Sequence, residues 1–334
     1  MQRPLQYIKN AKPFTMYNAA NTDLPLLMLP MQYLDEVKHA HKSKLNLQRA
    51  LDQRAGLDSI GGFFLSDEMV SVVRMAMTRA LNQLVPELDE KCVSAYKEFM
   101  PPCSDWTEVN TMQLILKVWT RMISHVMVGP ELSQSDEWMK EMGMFIPTII
   151  KASFALRTGY RKKFYWIAKY WTPEIKEIYR LRGRLAKLLK PLLDYWLARA
   201  SARTEKIGTK NKMDIKADAV QWFVDEHLSK GHTPSPDQIA RDMLMLSLAS
   251  FLSTAATTLG IVYDLLDQPD AFAEIKAEMV RLYEETGGKV NRQALNKLVV
   301  FDSLMKESQR TNPINQSKLH RSQSRIVRAW LTPT

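Results

Sequence analysis

Cysteine is scarce in this 334-residue chain, which contains only Cys92 and Cys103. Two cysteines in a chain of this length exclude a disulfide framework and a cysteine-rich metal cluster, and they are typical of a protein kept in a reducing compartment. The six histidines show no spacing typical of a zinc site. The sequence therefore predicts no metal site built from these residues.

Glycine is also sparse, at 12 residues, and no long stretch alternates apolar and polar residues as a half-buried strand would. By contrast, the chain is rich in methionine (19) and tryptophan (8), and 46% of its residues are hydrophobic. That is enough for a sizeable core. The composition predicts a mainly α globular fold with minor β. The amino terminus shows no signal-peptide hydrophobic region and no anchor, which predicts synthesis in the cytosol.

The longest apolar run, residues 235–267, predicts the central helix of the fold. Ser235 is a predicted cap, Pro236 occupies the first helical position, and Gln238 completes a capping box. No charged residue lies between Met243 and Tyr263. A helix this long and apolar is expected to be buried. Its serines and threonines favour a core helix over a membrane span, although about 20 apolar residues suffice to cross a bilayer.

One face of this predicted helix carries only small residues. They recur with helical spacing at Ala249, Ser253, Ala256, Thr257 and Gly260. Either a second helix packs tightly on this face or a flat cofactor lies against it. Periodicity alone favours the packed helix.

A net charge of +10 invites an acidic partner. Residues 159–171, GYRKKFYWIAKYW, interleave basic and aromatic side chains. Such a segment can stack nucleic-acid bases or lie at a membrane surface. Alternatively, its aromatic side chains face the core of the protein.

Local signals also place the other elements. Caps, prolines and apolar periodicity predict a strand at 24–30, a linker at 208–212, a connector at 290–298, and helices at 35–55, 67–100, 110–128, 135–155, 172–204, 213–228, 269–287 and 301–311.

Several passages resemble one known family. Glu307 and Arg310 form a Glu-x-x-Arg pair within DSLMKESQRTNP, downstream of LASFLSTAATT. MISHVMVGPEL resembles a family helix, with His125 where arginine is usual, and KPF followed by LPLLMLPMQYLDEV resembles an early family passage. Together they resemble the haem-thiolate monooxygenases, the cytochrome P-450 family, and especially its fungal secondary-metabolism branch, over nearly the whole chain.

The resemblance implies roles for residues of the long helix. The family pattern Ala-Gly-x-Asp/Glu-Thr-Thr matches residues 249–254, which makes Ser253 and Thr254 the predicted catalytic residues. Ser253 takes the place of the hydroxyl that assists proton delivery, and Leu252 stands where an acid is usual. Ala249 and Thr257 are predicted to lie against the haem.

Glu307 and Arg310 match the family's structural pair, which holds the framework on the other side of the haem. The family's iron ligand is a cysteine in Phe-x-x-Gly-x-x-x-Cys-x-Gly, and no cysteine follows Cys103. We therefore expect one monooxygenase-like domain over residues 1–334, incomplete at both ends. We also expect this polypeptide to bind no haem through a thiolate and to be inactive as written.

The family reaction inserts one oxygen atom from O2 into a lipophilic substrate, here predicted to be a terpenoid or indole-terpenoid. The resemblance implies haem as cofactor, a flavin-containing reductase as partner, and the endoplasmic reticulum membrane as location; as written, the chain is expected to be cytoplasmic or peripheral. The alternative is a non-enzymatic, basic helical protein that binds a membrane or, less favoured, nucleic acid. DNA binding of that kind would depend steeply on salt.

Overall fold

The computed structural model describes residues 12–18, 21–41, 43–205, 218–312 and 322–323, and helices dominate it. This confirms the predicted mainly α fold. The helices are α1 Leu34–His39, α2 Leu47–Ala55, α3 Leu57–Gly61, α4 Asp67–Ser71, α5 Thr78–Phe99, α6 Thr111–Leu132, α7 Asp136–Gly159, α8 Tyr165–Trp171, α9 Pro173–Glu205, α10 Ala219–Ser229, α11 Pro236–Leu266, α12 Pro269–Glu285, α13 Arg292–Leu295 and α14 Val299–Thr311. The strands are β1 Phe14–Asn18, β2 Asn21–Met28, β3 Leu45–Asn46 and β4 Ser322–Gln323.

The chain forms two compact units, one from residues 1–64, 149–177 and 315–334, the other from 65–148 and 178–314. In the first unit, β1 and β2 pair antiparallel with Phe14 opposite Met28, and β3 pairs antiparallel with β4. The strand predicted at 24–30 lies largely within β2. The core of the first unit includes Ile60, Phe63 and Leu156, which are fully buried.

The single helix predicted at 35–55 is wrong, because the chain turns between α1 and α2. The carbonyl of His41 accepts the N–H groups of Lys44 and Leu45 at 2.9 and 3.1 Å. Asn46 then caps α2, since its side chain accepts the Arg49 N–H at 3.0 Å. This polar turn starts a new helix instead of continuing the old one.

The second unit contains the longest helices, and local signals set their starts. Ser66 accepts the Met69 N–H at 3.1 Å and caps α4, as predicted. A π turn at residues 72–77 joins α4 to α5. The predicted end of α6 at Gly129 is a kink with φ of 74°, after which one further turn follows. The linker predicted at 208–212 and the start of the helix predicted at 213 lie outside the described residues.

The central helix α11 begins with the predicted capping box. Ser235 Oγ accepts the Gln238 N–H at 3.2 Å, and Gln238 Oε1 accepts the Ser235 N–H at 2.8 Å. Beyond the cap, the residues from Ile239 to Ser247 are buried except for Arg241.

The expectation that the whole apolar run is buried is wrong for the later turns of α11. Ala249 and Ser253 are exposed, as are Tyr263 and Leu266 at 53% and 74%. By length and composition α11 is also the one helix in the described ranges that could cross a membrane. Its first turns nevertheless lie within the protein core.

Candidate functional site

The exposed part of α11 presents a shallow wall of small side chains. Ala249 and Ser253 are exposed, while Thr254 and Thr257 are half-buried. The Ser253 hydroxyl donates to the Ala249 carbonyl at 3.1 Å, and the Thr257 hydroxyl donates to the Ser253 carbonyl at 2.9 Å. These bonds fold the hydroxyls back onto their own helix. A flat group can therefore approach this part of the helix closely.

The other end of the same stripe packs against α14. A Cβ added to Gly260 would lie 3.3 Å from Ser308 Oγ, closer than most side-chain contacts allow. Ser308 is 3% exposed, and the side chain of Asn312 donates to Asp264 at 3.0 Å beside it. Both explanations of the stripe therefore have a place on α11: tight helix packing at Gly260, and an open wall near Ser253.

The Glu-x-x-Arg pair lies on α14. Arg310 Nε donates to Glu307 Oε2 at 2.8 Å and Nη2 donates to Oε1 at 2.6 Å, a bidentate pair. The hydrogen bond from Arg310 lowers the pKa of the Glu307 carboxyl. Both side chains are exposed, at 57% and 70%, so solvent screens the pair and it contributes little to stability.

A carboxylate from α12 holds the start of α14. Glu278, 9% exposed, accepts the N–H groups of Val300 and Phe301 at 2.9 and 3.0 Å. Burial would raise the pKa of Glu278, but these backbone donors outweigh it, and the pKa is lowered overall. Glu278 thus acts as a cap for α14 from another helix and positions the segment that carries Glu307 and Arg310.

We expect Glu278→Gln to lower the free energy of unfolding at pH 7 by about 1–2 kcal/mol, because it removes the charge from two backbone hydrogen bonds. The folded-state pKa is lowered, so this contribution exists above the unfolded pKa of ~4.3 and is lost as pH falls through the folded value. Urea unfolding at pH 7 and at about pH 3 measures both effects. Glu274→Gln, an exposed site on the same helix, is the matched control. An equal loss at both pH values would contradict this account.

Neither cysteine fits as an axial haem ligand. Cys92 is half-buried on α5, and burial together with the nearby charge of Asp89 raises the pKa of its thiol. Cys103 is exposed and donates to the Pro101 carbonyl at 3.1 Å. A metal-bound cysteine is a thiolate, which a lowered pKa favours. Ala249, Ser253 and Thr257 thus leave one face of α11 open to a flat group such as haem, whereas the raised pKa of Cys92 disfavours the thiolate that would bind its iron.

The predicted residues fall into two groups. Ala249, Ser253 and Thr257 share the open face of α11, with Thr254 beside them, whereas the exposed Glu307 and Arg310 lie on α14. The side chain of Leu252 lies outside the described part of the structure.

Two groups of residues that matter here were not identified from spacing. Glu278 caps α14 across 22 residues of sequence. In addition, Glu68, His227 and His232 bring their ligand atoms within 4.8 Å of one another.

In the first unit, the basic aromatic segment is mostly exposed. Phe164, Trp166, Tyr170 and Trp171 have exposed fractions of 42%, 67%, 58% and 75%. Two of the rings make cation–π contacts with lysines. Lys163 Nζ lies 4.9 Å from the Phe164 ring centre, and Lys169 Nζ lies 5.0 Å from the Tyr170 ring centre. The interpretation that these aromatic side chains face the core is wrong for all four.

Comparison with known proteins identifies the family. Residues 28–327 match the family model of cytochrome P-450. The chain belongs to the cytochrome P-450 family. This confirms the resemblance drawn from Glu307, Arg310 and the α11 pattern, and members of this family are haem-thiolate enzymes.

Curated relatives of this P-450 chain are fungal monooxygenases. A cytochrome P-450 monooxygenase of Pyricularia oryzae is 31% identical over 321 residues, covering 96% of this chain and 63% of that protein. The pyrichalasin C-7 hydroxylase of Pyricularia grisea is 26% identical over 312 residues, covering 92% of this chain and 60% of that enzyme. The chain thus spans somewhat over half the length of the curated relatives it matches.

Solved structures show the same fold. A retinoic acid-bound cyanobacterial CYP120A1 matches with a TM-score of 0.59 at 11% identity, over 89% of this chain and 61% of that one. A second cytochrome P-450 haem domain matches with a TM-score of 0.58 at 13% identity, over 92% of this chain and 64% of that one. The fold therefore agrees with the family found by sequence.

Proposed function

We propose that these residues belong to a monooxygenase of fungal secondary metabolism that inserts one oxygen atom from O2 into a lipophilic substrate. The observation that carries this proposal is the open small-residue wall at Ala249 and Ser253, on the helix whose sequence resembles the family's haem-facing pattern. The hydroxylase of Pyricularia grisea supports hydroxylation as the reaction type. The terpenoid or indole-terpenoid class of the substrate and a flavin-containing reductase as electron donor form part of the same proposal.

In this proposal, α11 forms one wall of the haem site. Ala249 and Thr257 would hold the haem on this wall, and the haem would supply the redox chemistry of O2 activation. The Ser253 hydroxyl, now donating to the Ala249 carbonyl at 3.1 Å, is exposed and can rotate to hold a proton at the wall. Thr254 is half-buried beside it and is the second candidate for that role.

We also propose that the 334-residue polypeptide by itself forms no haem-thiolate centre and is inactive. The support is the donor set: one half-buried cysteine with a raised pKa and one exposed cysteine in a proline-rich turn. An iron–thiolate bond supplies the electron donation that favours O–O cleavage in this family.

Haemin reconstitution tests this. Purified protein is mixed with haemin, reduced and exposed to CO, and we expect no thiolate-type Soret band. The Pyricularia oryzae relative, treated identically, is the positive control. A thiolate-type band from this chain would overturn the proposal, and Cys92→Ser and Cys103→Ser would then identify the ligand.

The location and membrane contact of the protein are also proposals. The exposed rings and lysines of residues 162–171 support contact with a membrane surface, as expected for a protein of the endoplasmic reticulum membrane. The chemistry of this segment does not itself exclude nucleic acid, which could also stack on exposed rings. Family membership favours the membrane.

The single domain over residues 1–334 stays a prediction.

A further inference from the structure

Two imidazoles meet at the end of α10. Neither belongs to the residues proposed to face haem. His227 Nδ1 lies 2.8 Å from His232 Nε2, and the ring centres are 4.8 Å apart at an angle of 77°. Glu68, in the first turn of α4, reaches the same place, so that one ligand atom from each of the three residues lies within 4.8 Å of the others. Imidazole nitrogens and a carboxylate are ligands that zinc and similar ions prefer.

The chain brings the two histidines together through a turn. The His232 N–H donates to the His227 carbonyl at 3.2 Å, and the Gly231 N–H donates to the Leu228 carbonyl at 3.0 Å. This is the paired bonding of a Schellman motif, and Gly231 takes the left-handed conformation it requires, with φ of 82°. The motif places the side chain five residues after His227 back over the last turn of the helix. A regular helix would not bring residues five apart to one face, but this turn brings the His227 and His232 side chains together.

A second carboxylate faces the far side of His227. Asp242 Oδ2 lies 3.6 Å from His227 Nε2, and the two residues are 1% and 3% exposed. Neither atom has a hydrogen-bond partner within the described ranges. Metal-binding histidines commonly direct their second ring nitrogen to a carboxylate in this way. A proton on Nε2, facing Asp242, leaves the lone pair of Nδ1 directed toward His232 and Glu68.

Lys230 pairs with the Glu68 carboxylate. Lys230 Nζ donates to Glu68 Oε1 at 2.9 Å and lies 3.4 Å from Glu226 Oε1. Because Glu226 offers Lys230 a second partner one turn away, the ammonium can leave Glu68 without losing all its pairing. A cation arriving between Glu68 and the histidines would thus compete with Lys230.

We propose that Glu68, His227 and His232 bind a divalent transition metal ion, with zinc as the best match, through a carboxylate oxygen, Nδ1 and Nε2 respectively. At metal–nitrogen distances of ~2.1 Å, the tetrahedral angles that zinc prefers place two nitrogens ~3.4 Å apart, so the rings have to separate by about half an ångström from their present 2.8 Å. The Glu68 oxygen lies within 4.8 Å of the two nitrogens, so it has to move inward to bind the ion as Lys230 releases it. Three protein ligands leave a further position for water. The site does not depend on the proposed monooxygenase activity.

Calorimetric titration of the metal-stripped 334-residue protein with Zn²⁺ tests this site, and Co²⁺ absorption reports the ligand geometry. We expect one equivalent of zinc to bind, and both His232→Ala and Glu68→Gln to weaken binding at least about tenfold. Circular dichroism checks the fold of each variant. His39→Ala is the control, because that exposed ring donates to the Asp35 carbonyl of its own helix at 2.8 Å.

Lys230→Met gives a prediction of the opposite sign. Removing the competing ammonium should tighten zinc binding, whereas a site unrelated to Glu68 would be unchanged. The proposal is overturned if the wild-type protein binds no zinc, or if zinc binds equally well to the wild type, His232→Ala and Glu68→Gln.

Discussion

Replacement of Arg184 by methionine is expected to lower the free energy of unfolding by about 1.5–3 kcal/mol, less than for a fully buried ion pair, because the Arg184 side chain is 36% exposed. Arg184, on α9, donates through Nε and Nη2 to the two carboxylate oxygens of Glu141, on α7, at 2.7 and 2.8 Å. Glu141 is 5% exposed. Without the guanidinium, its carboxylate would stay buried with its main partner gone.

Urea unfolding followed by circular dichroism measures this loss. Lys190→Met, on the same helix, is the matched control, because Lys190 pairs with Asp194 at 2.6 Å where both side chains are more than half exposed. Its loss should stay below about 1 kcal/mol. The double change Arg184→Met with Glu141→Leu should recover much of the stability, since apolar residues can replace a buried pair. Similar losses for Arg184→Met and Lys190→Met would show that water reaches the Glu141 carboxylate.

Helix boundaries set by local chemistry could be predicted from the sequence. The capping box at Ser235, the cap at Ser66 and the proline starts at Pro173 and Pro269 all agree with the structure to within a residue or two. Each depends on side chains within about four residues of the helix end. The break before Asn46 was missed because residues 41–44, HKSK, are all polar and offer no apolar periodicity that would mark a helix end.

The candidate site could be predicted only in part. Periodicity identified the small-residue stripe but could not say which end packs on a helix and which end is open, because that depends on α14, more than 30 residues further along. Likewise the cap that Glu278 provides and the Glu68 contact with Lys230 link residues 22 and 162 positions apart. No local pattern carries such information.

The histidine pair was missed for a different reason. Metal-ligand spacings on helices are usually sought at three or four residues, whereas His227 and His232 are five apart and meet through a left-handed turn at Gly231. The sequence did carry a signal for this pair: Gly231 lies four residues after His227 and directly before His232.

Replacement of Ser253 by alanine is expected to reduce product formation per O2 consumed at least about tenfold in a completed enzyme, because assistance by a positioned proton-holding group contributes that much or more. The test joins residues 1–312 to the carboxy-terminal segment of the Pyricularia oryzae relative, which is 31% identical. Activity is measured with the lipophilic substrate, from a terpenoid panel, that gives the highest turnover, and peroxide release is measured in parallel.

Ser250→Ala is the matched control for this change, because the Ser250 hydroxyl is half-buried and donates to the Ser247 carbonyl at 3.2 Å on the same helix. Ser253→Thr keeps a hydroxyl at the wall and should retain most of the product yield. If Ser253→Ala leaves the yield intact while Thr254→Val lowers it, the proton-holding role passes to Thr254. If neither change has an effect, the open face of α11 provides only room for the cofactor, and proton delivery must come from residues on another element.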